Sequence, residues 1–185
     1  QRVGAQGRVV AFEPSPRERR RLTLHTFVNR CANVRIEPFA LGSSEAEADL
    51  YVVRRFDTGC NSLRAPVVSE PTARVRVAQT TLDRYLERSD LPRVDVMKVD
   101  VEGAELEAFR GAAGLLARRP RPAVLCEVQD IRTAPWGYRS VAIFDLLASM
   151  GFRWFTLPPD GPPKIAERKE SFDENLLAMP EERLP

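Results

Sequence analysis

Carboxylate side chains stand at the ends of three short apolar runs in this sequence. They are Glu13, Asp100 with Glu102, and Glu127. Each run has the length and composition of a buried strand, and ligands of open α/β sheets bind beyond the carboxyl ends of the strands. The sequence therefore predicts one crevice that all of these acids line.

Glu13 follows the first predicted strand, Arg8–Phe12 (RVVAF). A carboxylate in this place can accept hydrogen bonds from both hydroxyls of a ribose. Hydrogen bonds to a charged group contribute about 1.5–3 kcal/mol, which is enough to select for the sugar. The position favours an adenine nucleoside cofactor, with NAD and S-adenosylmethionine equally supported. The alternative is an ordinary glutamate in an exposed turn.

Asp100 and Glu102 follow the predicted strand Val94–Val99 (VDVMKV). If the strand continued to Asp100, Lys98 and Asp100 would point to the same face. Both acids can act on a substrate. They can equally stabilise the N-terminus of a helix predicted from Glu102 to Arg118, through its dipole and free amides. For Glu102 the two interpretations have equal support. Glu127 belongs to the next predicted strand, Pro122–Val128.

A long loop over about residues 55–72 contains Gly59, Pro66 and Pro71. Long loops in compact domains often serve function. Asn61 and Ser62 in this loop can close onto a cofactor or orient an acceptor. The alternative is an exposed turn.

The remaining elements must position these groups. Strands alternating with helices predict the α/β class, with a mostly parallel sheet covered by helices on both faces. The predicted elements are a helix that begins at Ser15 and Pro16 and presents Leu22, Leu24, Phe27 and Val28, a strand Val34–Leu41, an antiparallel pair Asp49–Arg54 and Arg74–Ala78, a short helix after Thr80 or Thr81, a helix Ser140–Met150, and closing strands Phe152–Leu157 and Asn175–Met179.

Composition narrows the class of partner. The 28 basic and 26 acidic residues nearly balance, which argues against a nucleic acid or membrane partner and favours a small-molecule substrate. No apolar run reaches the roughly 18 residues that would cross a bilayer, and no signal peptide is recognisable. Three cysteines without ligand spacing predict no metal site and a cytoplasmic protein.

Several segments together resemble the FkbM family of methyltransferases. They are VVAFEPSP, ANVRIEPFALGSSEAEADLYV, NSL, TTLDRYLE, PRVDVMKVDVEGAELEAFRGAAGLL, PAVLCEV and ENLLAMP, in family order from about Gly7 to Met179. The KVDVEGAELEAFRGA block with the upstream TTLD is the most specific part.

The resemblance implies a class I, Rossmann-like methyltransferase fold that uses S-adenosyl-L-methionine. Glu13 and Pro14 would hold the cofactor ribose, Ala40 and Leu41 would border the adenine, and Asp100 would face the methionine end. Asn61 and Ser62 would cover the site, with Lys98 also on the substrate side. Glu102 and Glu127 would lie beside the acceptor and, with Asp100, would be the catalytic candidates.

One family feature is missing from the sequence. Family members have a first strand and a glycine-rich turn (DVGANxG) upstream of GRVVAFEP, whereas only QRVGAQ precedes Gly7 here. We therefore expect residues 1–185 to form a single, incomplete methyltransferase domain, a fragment of a longer protein. Without that strand, neighbouring strand edges would be exposed.

The sequence thus predicts S-adenosylmethionine-dependent methyl transfer, with a hydroxyl oxygen of a small molecule, sugar or secondary metabolite as acceptor. The alternatives are a non-catalytic remnant or interaction domain, an NAD-linked oxidoreductase, and a metal-assisted methyltransferase. The last has the least support because its acids come from two strands.

Overall fold

A computed structural model of the chain describes residues 3, 4, 6–54, 58–91 and 93–184. Its N-terminal part contains β1 (Val9–Phe12), α1 (Pro16–Val28) and β2 (Val34–Glu37), and β2 pairs in parallel with β1. Helix α1 begins where predicted, because the Ser15 side chain accepts a hydrogen bond from the Glu18 amide. Pro16 suits the first turn, where its missing N–H has no helical partner.

A second sheet has the order β3-β5-β4 and contains β3 (Phe39–Leu41), β4 (Ala46–Val53) and β5 (Thr72–Thr80). The predicted antiparallel pair is confirmed, with Asp49 opposite Arg76. The single predicted strand Val34–Leu41 is wrong, because it divides at Pro38 into β2 and β3, which belong to different sheets. Proline has no N–H to donate, so the ladder ends there.

The third sheet has the order β6-β7-β10-β8-β9. It contains β6 (Val96–Val99), β7 (Ala123–Gln129), β8 (Phe152–Thr156), β9 (Lys164–Ile165) and β10 (Asp173–Pro180). Strands β6 and β7 are parallel, and the other pairs are antiparallel. The α/β class and both closing strands are confirmed. The sheets are mixed rather than mostly parallel, and β9 was not predicted because its PPDGPPKI context is typical of a loop.

The other helices are α2 (Leu82–Glu87), α3 (Glu105–Arg110), α4 (Ala113–Ala117), α5 (Asp130–Thr133) and α6 (Val141–Ser149). The continuous helix predicted from Glu102 to Arg118 is wrong. It begins at Glu105 and ends at Arg110, and the next residue, Gly111, accepts a hydrogen bond from the Asp83 amide at 2.9 Å. Gly111 also lies against the main chain of Gly42, where a β-carbon would be 2.0 Å from the carbonyl oxygen, so the position requires glycine. Beyond the break, the Asp83 carboxylate accepts hydrogen bonds from the first amides of α4 and the next helical turn begins.

The main core lies between the five-stranded sheet and its helices. Its fully buried side chains include Phe109, Leu116, Ile143, Leu147 and Leu176. None of the helices in the described ranges combines the length and the apolar character that a membrane crossing requires.

The sheets are interrupted between β1 and β6. In the described part of the chain, β1 pairs with β2 alone and β6 pairs with β7 alone. Residues of both strands line one large cavity, and Val96 on β6 is 64 % exposed. Two strand edges therefore border the cavity, and this gap defines the shape of the site.

Three large apolar side chains of α1 are exposed to solvent. Leu24, Phe27 and Val28 are 58 %, 80 % and 67 % exposed, and α1 has no buried residue. Among the described residues, α1 lies beside the two-stranded β1–β2 sheet and contacts the end of β4 through Arg17, and these contacts leave the three side chains uncovered. We expect Phe27→Ser to change the free energy of unfolding by less than about 0.5 kcal/mol. Phe109→Ala, at a 1 % exposed core position, should lower the free energy of unfolding by about 3–5 kcal/mol. Urea titrations of both variants measure these changes. A loss above about 1 kcal/mol in Phe27→Ser would show that α1 is covered in solution.

Candidate functional site

The cavity beside β1 and β6 has a volume of about 1320 Å³. It exceeds the roughly 300–1,000 Å³ typical of small-molecule sites, which is consistent with the gap in the sheet. Most of the site residues predicted from the sequence line it, namely Glu13, Pro14, Ala40, Leu41, Asn61, Lys98, Asp100 and Glu102. Ser62 and Glu127 do not line it, so the prediction that all of the acids share this crevice is wrong for Glu127. The residues that line it come from three sheets and from the loop after β4, and the fold brings them to one place.

Glu13 lies directly after β1 and is half-buried. Its Oε1 accepts a hydrogen bond from the Ser15 amide at 2.8 Å, and burial raises the pKa of the carboxyl while that hydrogen bond opposes the increase. An ionised carboxylate has about four lone-pair sites, so one bond to Ser15 leaves capacity for a ribose diol. The geometry therefore fits the role predicted for this residue.

Asp100, Glu102 and Glu127 form a tight acidic cluster. One carboxylate oxygen of each lies within 4.8 Å of the others. Two cations accompany them, since Lys98 pairs with Asp100 and Arg132 Nε lies 3.0 Å from Glu102 Oε2. Lys98 and Arg132 therefore neutralise much of the negative charge of the three carboxylates. It supports proton transfer more directly than it supports a divalent cation.

Glu102 has an unusual backbone conformation. Its φ is +54°, in the left-handed region that non-glycine residues rarely adopt. Its carbonyl oxygen accepts a hydrogen bond from Ser62 Oγ at 2.6 Å. The helix-capping interpretation of Glu102 is wrong, because the residue lies three positions before α3 and its carboxylate faces Arg132.

The electrostatics of the cluster suit acid–base chemistry. Burial raises the pKa of Glu102 to about 7, with Arg132 opposing and Glu127 adding to the increase. Burial and then the negative charge of Asp100 raise the pKa of Glu127. A carboxyl group with a pKa near neutrality can exchange a proton with a bound acceptor under ordinary conditions.

The two loop residues have different surroundings. Asn61 lines the cavity, and its Oδ1 accepts a hydrogen bond from the Val53 amide at 2.9 Å. Ser62 is 3 % exposed and lines a shallow depression behind Glu102. Its hydroxyl contacts the main chain of Glu102, which gives it a supporting place in the site. Whether either residue contacts a substrate stays a prediction.

Three residues beside the cluster are not among the predicted site residues. Arg132 pairs with Glu102, the Tyr138 hydroxyl donates to the Gly103 carbonyl at 2.6 Å, and the Glu105 side chain accepts from two amides of the same turn. Glu105 lies within the specific KVDVEGAELEAFRGA block, which is the signal that would have drawn attention to it. Tyr138 follows the Glu127 strand in a loop, where an aromatic side chain can line an acceptor pocket or merely pack. Arg132 carries no such signal, because only the fold brings it near residue 102.

Comparison with known proteins identifies the family. The model of the FkbM methyltransferase domain matches residues 1–154. The AMB antimetabolite synthetase AmbE of Pseudomonas aeruginosa is 29 % identical over 182 residues, covering 80 % of this chain and 8 % of its own length. A crystal structure of methyltransferase FkbM from Methylobacillus flagellatus matches with a TM-score of 0.53 and 17 % identity, over 93 % of this chain and 36 % of that one. The structural match supports the fold, and the chain spans a minor part of both relatives.

Proposed function

Because the chain belongs to the FkbM methyltransferase domain family, we propose that it transfers the methyl group of S-adenosylmethionine to a hydroxyl oxygen of a small molecule, sugar or secondary metabolite. The observation that carries this proposal is that Glu13, Asp100 and Glu102 line one cavity, with Glu127 beside Asp100 and Glu102 in the acidic cluster. One side of the cavity suits a ribose. The other side carries carboxylates that can take a proton from a bound hydroxyl group. A cofactor held by Glu13 would supply an activated methyl group to an acceptor beside the acids.

In this mechanism S-adenosylmethionine supplies an activated methyl group, so the protein must mainly align the reactants. Glu13 holds the ribose, and Ala40 and Leu41 border the adenine. Alignment of two reactants can account for about 7–11 kcal/mol of barrier reduction. As the acceptor oxygen bonds to the methyl carbon and the carbon–sulfur bond breaks, the hydroxyl proton passes to Glu102. S-adenosylhomocysteine and the methyl ether are the products.

Glu102 is the proton acceptor that this proposal favours within the cluster. Arg132 stabilises its ionised form, and a pKa of about 7 leaves it partly ionised at neutral pH. Glu127 and Asp100 act as further charges, and Lys98 compensates Asp100. General base catalysis by a positioned side chain contributes about 10²–10⁴-fold in rate.

Isothermal titration of S-adenosylmethionine, with NAD as the comparison, tests the cofactor. We expect the chain to bind S-adenosylmethionine and not NAD. In Glu13→Gln the affinity for S-adenosylmethionine should fall about 10- to 100-fold, because hydrogen bonds to a charged carboxylate are lost. Glu47→Gln is the control, since Glu47 is exposed on β4 and pairs with Arg76. Preferential binding of NAD would support an oxidoreductase instead. A folded chain that binds neither would support the interaction-domain alternative.

A screen of hydroxyl compounds for release of S-adenosylhomocysteine tests the reaction. Turnover that needs both S-adenosylmethionine and a hydroxyl acceptor supports the proposal. Turnover with amines but not with alcohols would replace oxygen by nitrogen as the methylated atom. Activity abolished by EDTA and restored by a divalent cation would favour the metal-assisted alternative.

A further inference from the structure

We propose that Glu105 is a positioning residue, which fixes the turn of residues 100–104 and thereby holds the Glu102 carboxylate in place for the acceptor hydroxyl. This inference rests on the proposed function. We refer to residues 100–104 as the Glu102 turn.

Glu105 spans the Glu102 turn from inside the protein. Its side chain is almost completely buried, with the residue 1 % exposed. Oε1 accepts hydrogen bonds from the amides of Val101 at 3.1 Å and Gly103 at 3.2 Å. These two amides flank Glu102, so one oxygen atom fixes the main chain on both sides of the acid.

The Glu102 turn needs such support because its backbone is strained. Glu102 has φ +54° and Gly103 has φ +97°. A non-glycine residue in the left-handed region costs about 1–3 kcal/mol and persists only where the surroundings impose it. Ser62 and Tyr138 hold the turn from two other segments, through the carbonyls of Glu102 and Gly103. Glu105 is the support that acts on the amides.

A buried carboxylate is a costly way to support a turn. Glu105 Oε2 is buried and has no hydrogen-bond partner among the described residues, and burial raises the pKa of the group. An apolar side chain of similar size would avoid this cost. The residue is therefore better explained by what it positions than by the stability it adds.

The effect on the reaction follows from geometry. Glu102 meets Arg132 only while the turn keeps its conformation, and a displacement of about 1 Å in a reacting group can cost about 10²-fold in rate. Losing Glu105 should therefore lower kcat much more than it weakens cofactor binding, because Glu105 holds the amides of Val101 and Gly103 and not Asp100, and because Glu13 lies on another sheet.

The experiment compares Glu105→Gln with Glu105→Met. Both remove the charge, but only glutamine keeps an acceptor oxygen for the two amides. We expect Glu105→Met to lower kcat about 10²-fold while the KM for S-adenosylmethionine stays within about threefold. Glu105→Gln should retain kcat within about threefold. Leu147→Ala, in the core and away from the cavity, is the control for lost stability. At temperatures below its Tm, Leu147→Ala should have the kcat of the wild type.

A double-mutant cycle tests whether Glu105 acts through Glu102. In a Glu102→Gln background, Glu105→Met should change kcat by less than about twofold, because the group it positions is gone. Additive losses would overturn the proposal. Wild-type kcat in folded Glu105→Met would do so as well.

Two readouts need no acceptor and separate this inference from the proposed function. Hydrogen exchange should show the amides of Val101 and Gly103 protected in the wild type and in Glu105→Gln, and unprotected in Glu105→Met. Carbon NMR of the Glu102 carboxyl gives its titration midpoint in each variant. We expect this midpoint to differ between Glu105→Met and Glu105→Gln. The charged groups facing Glu102 are Arg132, Glu127, Asp100 and Glu105. The two variants change these charges identically, so a difference between them reports position.

Equal protection and equal midpoints would overturn the inference even if methyl transfer were established. The expected pattern without methyl transfer would leave the turn as described and refute the proposed function alone.

Discussion

Glu102→Gln is expected to lower the rate of methyl transfer by about 10²–10⁴-fold. Glutamine keeps the shape of the side chain but cannot take up the proton of the acceptor hydroxyl. In the wild type the rate should rise with pH and reach half of its plateau near pH 7. The reason is that the pKa of Glu102 is raised to about 7 and only its ionised form is a base. Steady-state rates between about pH 5.5 and 9 measure both effects.

Glu107→Gln is the matched control for this substitution. Glu107 lies in α3 close by, where it pairs with Arg110 and accepts from Ser43. It should alter the rate by less than about twofold, because it has no contact with the acidic cluster. A wild-type rate in Glu102→Gln would transfer the role of base to Glu127 or Asp100.

Glu102 also links pH to stability. Its pKa is about 7 in the folded chain and near 4.5 when unfolded, so the folded state binds the proton more tightly. The resulting stabilisation is complete below about pH 4.5 and is lost as the pH rises through 7. The shift corresponds to about 3 kcal/mol. Urea unfolding at pH 5 and pH 8 should show that loss in the wild type, and a loss smaller by about this amount in Glu102→Gln. Equal losses in the two proteins would show that burial does not raise the Glu102 pKa.

Arg121→Met is expected to destabilise the fold by about 3–5 kcal/mol, which is the typical cost of breaking a buried ion pair by removing one partner. The Arg121 side chain is 7 % exposed and pairs with Glu182 at 2.5 Å. It also donates to the carbonyls of Met150 and Gly151 and lies 4.7 Å from the centre of the Phe152 ring. One side chain therefore connects the approach to β7 with the start of β8 and the end of β10.

Thermal and urea unfolding measure this loss, with Asp145→Asn as the control. Asp145 pairs with Arg168 at 2.8 Å, but about half of each side chain is exposed, so its loss should cost less than about 1 kcal/mol. The hydrogen bond from Arg121 lowers the pKa of Glu182 to about 2. This stabilisation is present above about pH 4.5 and is lost as the pH falls toward 2. The wild type should therefore lose more stability in acid than Arg121→Met. Losses of equal size in the two ion-pair variants would contradict the structural role of Arg121.

The sequence predicted the parts of the site that depend on local pattern. Glu13, Asp100 and Glu102 follow short β-branched strands, and such strands place the next polar residue at the edge of a sheet. What it could not predict depends on contacts between distant residues. The helix predicted from Glu102 to Arg118 breaks where Gly111 contacts Gly42 and Asp83, and Arg132 reaches Glu102 only through the position of α5. No period or propensity near residues 102–118 reports these contacts.

Local pattern also misjudged the depth of burial. Leu24, Phe27 and Val28 have the composition of a buried helix face, but the described contacts of α1 leave them uncovered. Ser62 and Glu105 show the converse, since both are polar and nearly fully buried. Burial of a polar side chain depends on partners elsewhere in the chain, here the amides and carbonyls of the Glu102 turn.

The gap between β1 and β6 has a consequence for ligand-linked stability. Glu13 belongs to one side of the gap and the acidic cluster to the other, and no described strand ladder joins β1 to β6. A molecule that contacts both sides would act as a non-covalent cross-link between two parts of the domain. Its binding free energy would add to the stability of the folded state as RT ln(1 + [L]/Kd). The cofactor would then be a structural component of the domain as well as a reactant, and the cooperativity of unfolding would depend on its concentration.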